Sequence, residues 1–261
     1  MSGCVPDRLT LARLFQRTTL RAMLNAILAA MLALVAPGQS PFSVVPLPEC
    51  GGPVLRLADL PAGPEPAACS APGVTWSSHH GALVRRESEA EARARYTTIA
   101  RALDAVSLEA TTAPEGERPI WPWPRRELVA GLLTIARHES GFRRDVHEGV
   151  GPAALGDCSR RRDGSRTCRS VCLVQVQTGG LDGRRGGWLG RDLVGIDPES
   201  TARCLRAGAE LLARSRWSCA RSGGEWFAPT VALYGSGVSC GTRRAWVQKR
   251  AATYRRVVAA M

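Results

Sequence analysis

Eight cysteines follow residue 49, and their even number restricts the chain to folds whose loops are tied by disulfides, provided that it folds in an oxidising compartment. Eight cysteines allow roughly a hundred pairings, so spacing alone suggests only the shortest ones. Close spacing predicts a bridge between Cys158 and Cys168 around a basic loop, and Cys50 with Cys69 is the simplest pair nearer the amino terminus. The other four cysteines are expected to form two further bridges, and they are Cys172, Cys204, Cys219 and Cys240. CxxC-type spacing is absent from the sequence, so no metal site is predicted.

The amino-terminal segment predicts export. Four arginines precede an apolar run, Ala22–Ala36, which ends at Pro37. The run is shorter than the ~20 apolar residues that a membrane-spanning helix needs. We therefore expect residues 1–38, which include Cys4, to be a signal peptide, with an uncleaved amino-terminal anchor as the alternative. The mature protein is then expected in the periplasm or outside the cell, without a stable membrane span.

The chain is strongly basic. It has 35 Lys and Arg against 23 Asp and Glu, a net charge of +12, and Lys249 is the only lysine. Removal of residues 1–38 takes away four arginines and one aspartate, which leaves +9. Aromatic residues make up only 5% and no nucleic-acid-binding motif is present, so nucleic acid is not expected as a partner. A basic surface of this kind attracts other anionic polymers, among them cell-wall material.

The rest of the chain divides into a linker and one mainly helical domain. Residues 39–80 are rich in Pro, Gly, Ala and Ser without sustained periodicity, which is typical of a linker. Residues 81–261 carry helix signals, including a capping box at Ser88 and an Asp197-Pro198 start. Further helices are predicted up to Glu139, from Pro229 to Tyr234 and at the carboxyl terminus. The run "VCLVQV", residues 171–176, is compatible with either a strand or a buried turn.

A carboxylate follows an apolar helical stripe. Leu128, Leu132 and Ala136 recur at a spacing of four, and Glu139 comes three residues later on the same face. Burial there would raise the pKa of Glu139 and keep it protonated, as a general acid requires. The alternative is a helix-end glutamate that swings into solvent and pairs with Arg143 at i+4.

Three motifs in order give the sequence a family resemblance. They are "ESGF" at residues 139–142, "SVCLVQV" at 170–176 and "ALYGSG" at 232–237. Together they resemble the lysozyme-like lytic transglycosylases, the superfamily of soluble lytic transglycosylases and goose-type lysozyme, whose members carry E-S-x-F, G-L-M-Q and A-Y-N-x-G. The resemblance covers residues 127–254 and implies a mainly α, lysozyme-like fold with irregular loops, here braced by disulfides.

The resemblance also implies roles for individual residues. Glu139 matches the catalytic acid and base, and Ser140 the hydroxyl beside it. Gln175 matches a glutamine that contacts the acetamido sugar, and Tyr234 a tyrosine near the catalytic carboxyl. Two positions depart from the family pattern. Cys172 stands where glycine is usual, and Gly235-Ser236 replaces Asn-Ala, so the contact made by that asparagine is lost or moved.

The implied activity is cleavage of peptidoglycan between its two amino sugars without a cofactor, by a monomer. Because the matched motifs contain one carboxylate, the expected route is intramolecular and leaves a 1,6-anhydromuramyl end. The alternatives are hydrolysis, with Asp145 or Asp157 holding the attacking water, and a catalytically inactive peptidoglycan-binding protein on the same fold.

Overall fold

A computed structural model describes residues 22–31, 42–43, 74–77, 82–149, 155–160, 166–220 and 225–261. Most of these residues are helical, so the prediction of a mainly helical fold is confirmed. Helix α1 comprises residues 22–31. The helices that follow are α2 (Glu89–Thr111), α3 (Arg125–Glu139), α4 (Arg144–Glu148), α5 (Pro198–Ser218), α6 (Phe227–Ser236) and α7 (Ala245–Ala260).

Helix α5 lies at the centre of the packing. Helices α2, α3 and α6 pack against it, and α7 covers α3 and α6. Its core-facing residues Ala207, Ala209 and Leu212 are fully buried. Each large apolar side chain buried in this way contributes about 1.5 to 3 kcal/mol. Helix α3, whose last residue is Glu139, therefore packs against both α5 and α7.

Capping residues fix where the long helices begin. Ser88 forms the predicted capping box: its Oγ accepts from the amide of Glu91 at 3.2 Å, and its own amide donates to Glu91 Oε2 at 2.9 Å. Asp197 caps α5, because its Oδ1 accepts from the amides of Glu199 and Ser200 at 3.0 and 2.9 Å. These side chains satisfy amides that the first helical turn leaves without partners, and both predicted helix starts are confirmed.

The strands are short and antiparallel. β1 (Phe42–Ser43), β2 (Val74–Ser77) and β3 (Ala82–Arg86) form a sheet in the order β1-β3-β2. β2 pairs with β3 from Ser77 opposite Ala82, and these two residues lie on either side of residue 80, where the linker is predicted to end. The remaining strands form three two-stranded hairpins, which are β4 (Ser159–Arg160) with β5 (Arg166–Thr167), β6 (Ser170–Val171) with β7 (Val176–Gln177), and β8 (Arg184–Arg185) with β9 (Trp188–Leu189). The run at 171–176 is thus part strand and part turn.

Helix α1 lies within the predicted leader. Its residues Ile27, Ala30 and Met31 are buried and belong to the hydrophobic core cluster. In the part of the chain that the structure describes, no helix has the length and hydropathy needed to cross a bilayer. Whether residues 1–38 are removed stays a prediction.

Among the residues that the structure describes, three disulfides brace the domain. Cys158 pairs with Cys168, Cys172 with Cys204, and Cys219 with Cys240. The predicted bridge and the two further bridges among the last four cysteines are confirmed. The bridge from Cys172 to Cys204 ties the β6–β7 turn to α5. The predicted pair of Cys50 and Cys69 lies outside the described residues.

Candidate active site around Glu139

Glu139 is the last residue of α3 and continues its buried face. Leu128, Leu132 and Ala136 are at most 2% exposed, whereas the side chain of Glu139 is 20% exposed. The helix ends here because Gly141 adopts a left-handed conformation, with φ +61°, and returns its amide to the carbonyl of Ala136 at 3.0 Å. The carboxylate is thus largely desolvated but still open to solvent on one side.

The ion pair that Glu139 forms comes from the carboxyl-terminal helix. Nη1 of Arg250 in α7 lies 2.7 Å from Oε1 of Glu139. Both the charge of Arg250 and a hydrogen bond from its side chain act on the Glu139 carboxyl. Arg143, the alternative partner considered from the sequence, pairs with the fully buried Asp145 instead, and its Nε lies 3.0 Å from Oδ1.

Burial dominates the acidity of Glu139. Desolvation raises the pKa of its carboxyl, the charge of Arg250 lowers it, and the negative charge of Asp157 raises it, with an elevated pKa as the net result. Elevation is what a proton donor near neutral pH requires, because the acid must still hold its proton when the substrate arrives.

Tyr234 and the β6–β7 turn lie beside this carboxyl. The hydroxyl of Tyr234 donates to the carbonyl of Val174 at 2.6 Å. Burial raises the pKa of Tyr234, and the neighbouring charge of Glu139 raises it further, so the phenol stays protonated. Tyr234 therefore joins α6 to the turn that carries Gln175, and the three motifs meet in space.

Gln175 and Ser140 are engaged with backbone in this structure. Nε2 of Gln175 donates to the carbonyl of Cys172 at 2.9 Å, and its Oε1 lies against Gly156, where even a Cβ would have no room. The hydroxyl of Ser140 donates to the carbonyl of Ala136 at 2.8 Å and accepts from the amide of Phe142 at 3.2 Å. Ser140 thus closes the helix end, and direct substrate contacts by either residue stay predictions.

Backbone strain concentrates around the same place. Of the non-glycine residues that the structure describes, those with positive φ are Phe142 (56°), Asp157 (51°), Cys172 (63°) and Gln175 (53°). Each lies in a site motif or beside it. Left-handed backbone costs a non-glycine residue roughly 1 to 2 kcal/mol, so such residues gather where function fixes the backbone. Cys172, which forms a disulfide with Cys204, holds this conformation at the position where the motif that the sequence resembles has glycine.

Asp157 is a second carboxylate near Glu139. Its Oδ2 accepts hydrogen bonds from the hydroxyl of Ser170 and from Nε2 of Gln177, the latter at 2.9 Å. Of the two aspartates considered for holding a water, Asp157 affects the pKa of Glu139, whereas Asp145 is enclosed with Arg143. Whether either aspartate holds an attacking water stays a prediction.

Arg250 and Trp246 were not predicted as site residues. The guanidinium carbon of Arg250 lies 4.6 Å from the centre of the Trp246 ring, one helical turn away on α7. The i,i+4 spacing of a tryptophan and an arginine is visible in the sequence, and it indicates that these two side chains share a helix face. It does not indicate what that face meets.

Comparison with protein-family models, curated proteins and solved structures finds no significant match. Among the residues that the structure describes, no group of three or more His, Cys, Asp or Glu side chains is arranged to hold a metal. The assignment of a function therefore depends on the geometry around Glu139 and on the ordered motifs.

Proposed function

We propose that this protein is an exported enzyme with a lysozyme-like fold that cleaves the glycan strands of peptidoglycan as a lytic transglycosylase. The observation that carries the proposal is the largely buried carboxyl of Glu139, whose pKa is raised by desolvation. Its position at the end of an apolar stripe, beside Tyr234 and the β6–β7 turn, supports an acid-base role. The three disulfides and the predicted leader support a periplasmic or secreted location.

The chemistry follows from one carboxyl that acts twice. Protonated Glu139 donates its proton to the glycosidic oxygen, and the bond from that oxygen to the anomeric carbon of the muramyl sugar breaks. The resulting carboxylate then takes the proton of the muramyl 6-hydroxyl while that oxygen attacks the anomeric carbon. The products are a free 4-hydroxyl on the leaving sugar and a 1,6-anhydromuramyl end. The glutamate is regenerated in its acid form, so no cofactor is required.

Hydrolysis is the second candidate, and Asp157 is the observation that favours it. Glycosidases that invert configuration use one carboxyl as acid and another as the base for a water. Asp157 lies close enough to Glu139 to affect its pKa, and its Oδ2 is oriented by Ser170 and Gln177. In that route the product carries an ordinary reducing end.

The test is the release of soluble fragments from purified, insoluble peptidoglycan. The proposal predicts release by the parent protein and a large loss of release in Glu139→Gln. A parent protein that pellets with peptidoglycan but releases nothing would be a binding protein and not an enzyme. That result would overturn the proposal.

A further inference from the structure

Arg250 takes the space beside Gly235 that a side chain there would need. A Cβ built on Gly235 would lie 3.1 Å from Nη1 of Arg250, and 3.0 and 3.2 Å from Cη2 and Cζ3 of Trp246. These distances are tighter than ordinary packing allows, so a side chain at this position would move Arg250 or Trp246 by a few tenths of an ångström. Position 235 is also where the sequence departs from the asparagine of the A-Y-N motif.

The guanidinium is held in place from two sides. Trp246 contributes its ring face at 4.6 Å, a distance at which a cation and an aromatic ring attract each other. Glu139 contributes its Oε1 at 2.7 Å from Nη1. The side chain of Arg250 is only 14% exposed, so solvent screens this charge weakly. An arginine fixed in this way acts on the carboxylate as a stationary positive charge.

We propose that Arg250 is the positioning residue of Glu139: its guanidinium, which packs against Gly235 and Trp246, orients the carboxyl and stabilises the carboxylate that proton transfer leaves behind. The inference rests on the proposed function for its catalytic meaning, but the coupling between the two side chains is measurable without activity. Gly235 and Arg250 then act together, because the absence of a side chain at position 235 leaves room for the guanidinium from α7.

One other charged group acts on the Glu139 carboxyl, and two more groups lie around it or its neighbour Tyr234. Asp157, which precedes β4, opposes Arg250 by raising the pKa of Glu139. Tyr234 of α6 is neutral, and Arg185 of β8 acts on Tyr234. The positive charge that lowers the pKa of Glu139 comes from Arg250. Removal of that charge is therefore predicted to raise the pKa of Glu139. The increase is the effect of losing an opposite charge at contact distance.

The first test titrates the Glu139 carboxyl by carbon-detected NMR, with its signal identified from its absence in Glu139→Gln. Arg250→Met is predicted to raise the pKa by about one unit or more, the usual effect of an adjacent opposite charge. Arg250→Lys keeps the charge and is predicted to stay nearer the parent. Arg255→Met is the matched control, because Arg255 lies on the same helix but pairs with Glu225 at 2.7 Å. It is predicted to leave the titration unchanged.

A second variant protects the test against misfolding of Arg250→Met. Gly235→Ala suits the helical backbone of α6, and its Cβ requires the guanidinium and the Trp246 ring to shift by a few tenths of an ångström. It is predicted to raise the pKa of Glu139 by less than Arg250→Met does. Unchanged titration in both variants, with the fold intact, would overturn the inference.

The catalytic part is tested by the pH dependence of kcat/KM, whose alkaline limb reports the acid of the free enzyme. This limb is predicted to move upward in Arg250→Met by the shift that NMR measures, with about a tenfold fall of the maximum because the carboxyl is less well positioned. Arg250→Lys is predicted to restore the limb. If the pKa of Glu139 measured by NMR shifts in Arg250→Met but the alkaline limb of kcat/KM does not, the catalytic role of the pair is overturned. If the parent protein cleaves nothing, the proposed function fails, and the titration alone decides the coupling.

Discussion

Replacement of Glu139 by glutamine separates a catalytic carboxyl from a structural ion pair. Glutamine keeps the size of the side chain and cannot donate a carboxyl proton. Positioned acid-base groups contribute at least ~100-fold in rate, so Glu139→Gln is predicted to lower the release of peptidoglycan fragments by that factor or more. In barrier height this is about 2.7 kcal/mol.

Glu139→Gln is predicted to lower activity without lowering the free energy of unfolding. Because the folded-state pKa of Glu139 is raised, its favourable contribution is complete below the unfolded-state pKa and is lost as pH rises through the folded-state pKa. Glutamine resembles the protonated acid, so at pH 7 the variant should be as stable as the parent or more stable. The gain is about 1.4 kcal/mol for each unit by which the pKa is elevated. Denaturant unfolding at pH 7 measures the difference, which should shrink as the pH approaches 4.

Glu127→Gln is the matched control on the same helix. Glu127 accepts from Nη1 of Arg216 at 2.6 Å, and that guanidinium lies against the rings of Trp123 and Trp226 at 4.1 and 4.0 Å. Loss of this charged hydrogen bond should cost about 1 to 3 kcal/mol and leave cleavage intact. If Glu139→Gln behaved like Glu127→Gln, with lower stability and full activity, the acid-base role would be refuted.

Three further predictions concern the surroundings of the site and the surface charge. Asp157→Asn should lower the pKa of Glu139, because it removes a neighbouring negative charge, and the alkaline limb of the pH profile should move to lower pH. The same substitution should change the cleavage rate by less than tenfold in a transglycosylase and by far more in a hydrolase. Replacement of Cys172 and Cys204 by alanine should lower the free energy of unfolding by about 3 to 4 kcal/mol in denaturant titrations. The pair Cys172→Gly with Cys204→Ala should recover about 1 kcal/mol of this loss, because the backbone at position 172 is left-handed and glycine adopts that conformation without strain. Pelleting of the protein without residues 1–38, whose net charge is +9, with peptidoglycan should weaken as salt rises. Salt-independent pelleting would mean that its arginines do not bind the wall.

Local signals predicted most of the helices. The capping box at Ser88 and the Asp197-Pro198 start depend on residues within one turn, so they are visible in sequence and recur in the structure. The stripe that ends at Glu139 is equally local, and its burial follows from a period of 3.6. Helix α6, in contrast, begins at Phe227, two residues before the predicted start, and extends to Ser236 because Gly237 and not Gly235 is its left-handed cap.

The chemistry of the site depended on contacts between distant segments, which no local pattern encodes. The carboxylate that the sequence singles out meets Arg250 of the last helix, and the spacing of Glu139 and Arg143 favoured a partner that pairs with Asp145 instead. The sequence shows glycine at position 235 where the motif has asparagine. It does not show that Arg250 of α7 lies beside this glycine, because that residue comes from another element. The tie from Tyr234 to Val174 likewise forms only when α6 reaches the β6–β7 turn.

The most direct test of the central claim is the chemical nature of the glycan ends that the parent protein produces. Purified peptidoglycan is digested in isotopically labelled water, and the soluble fragments are analysed by mass spectrometry. The account predicts 1,6-anhydromuramyl ends that carry no label, since the 6-hydroxyl and not water attacks the anomeric carbon. Labelled reducing ends would contradict the transglycosylase route and show hydrolysis by water, and the absence of any new ends would contradict catalysis by Glu139 altogether.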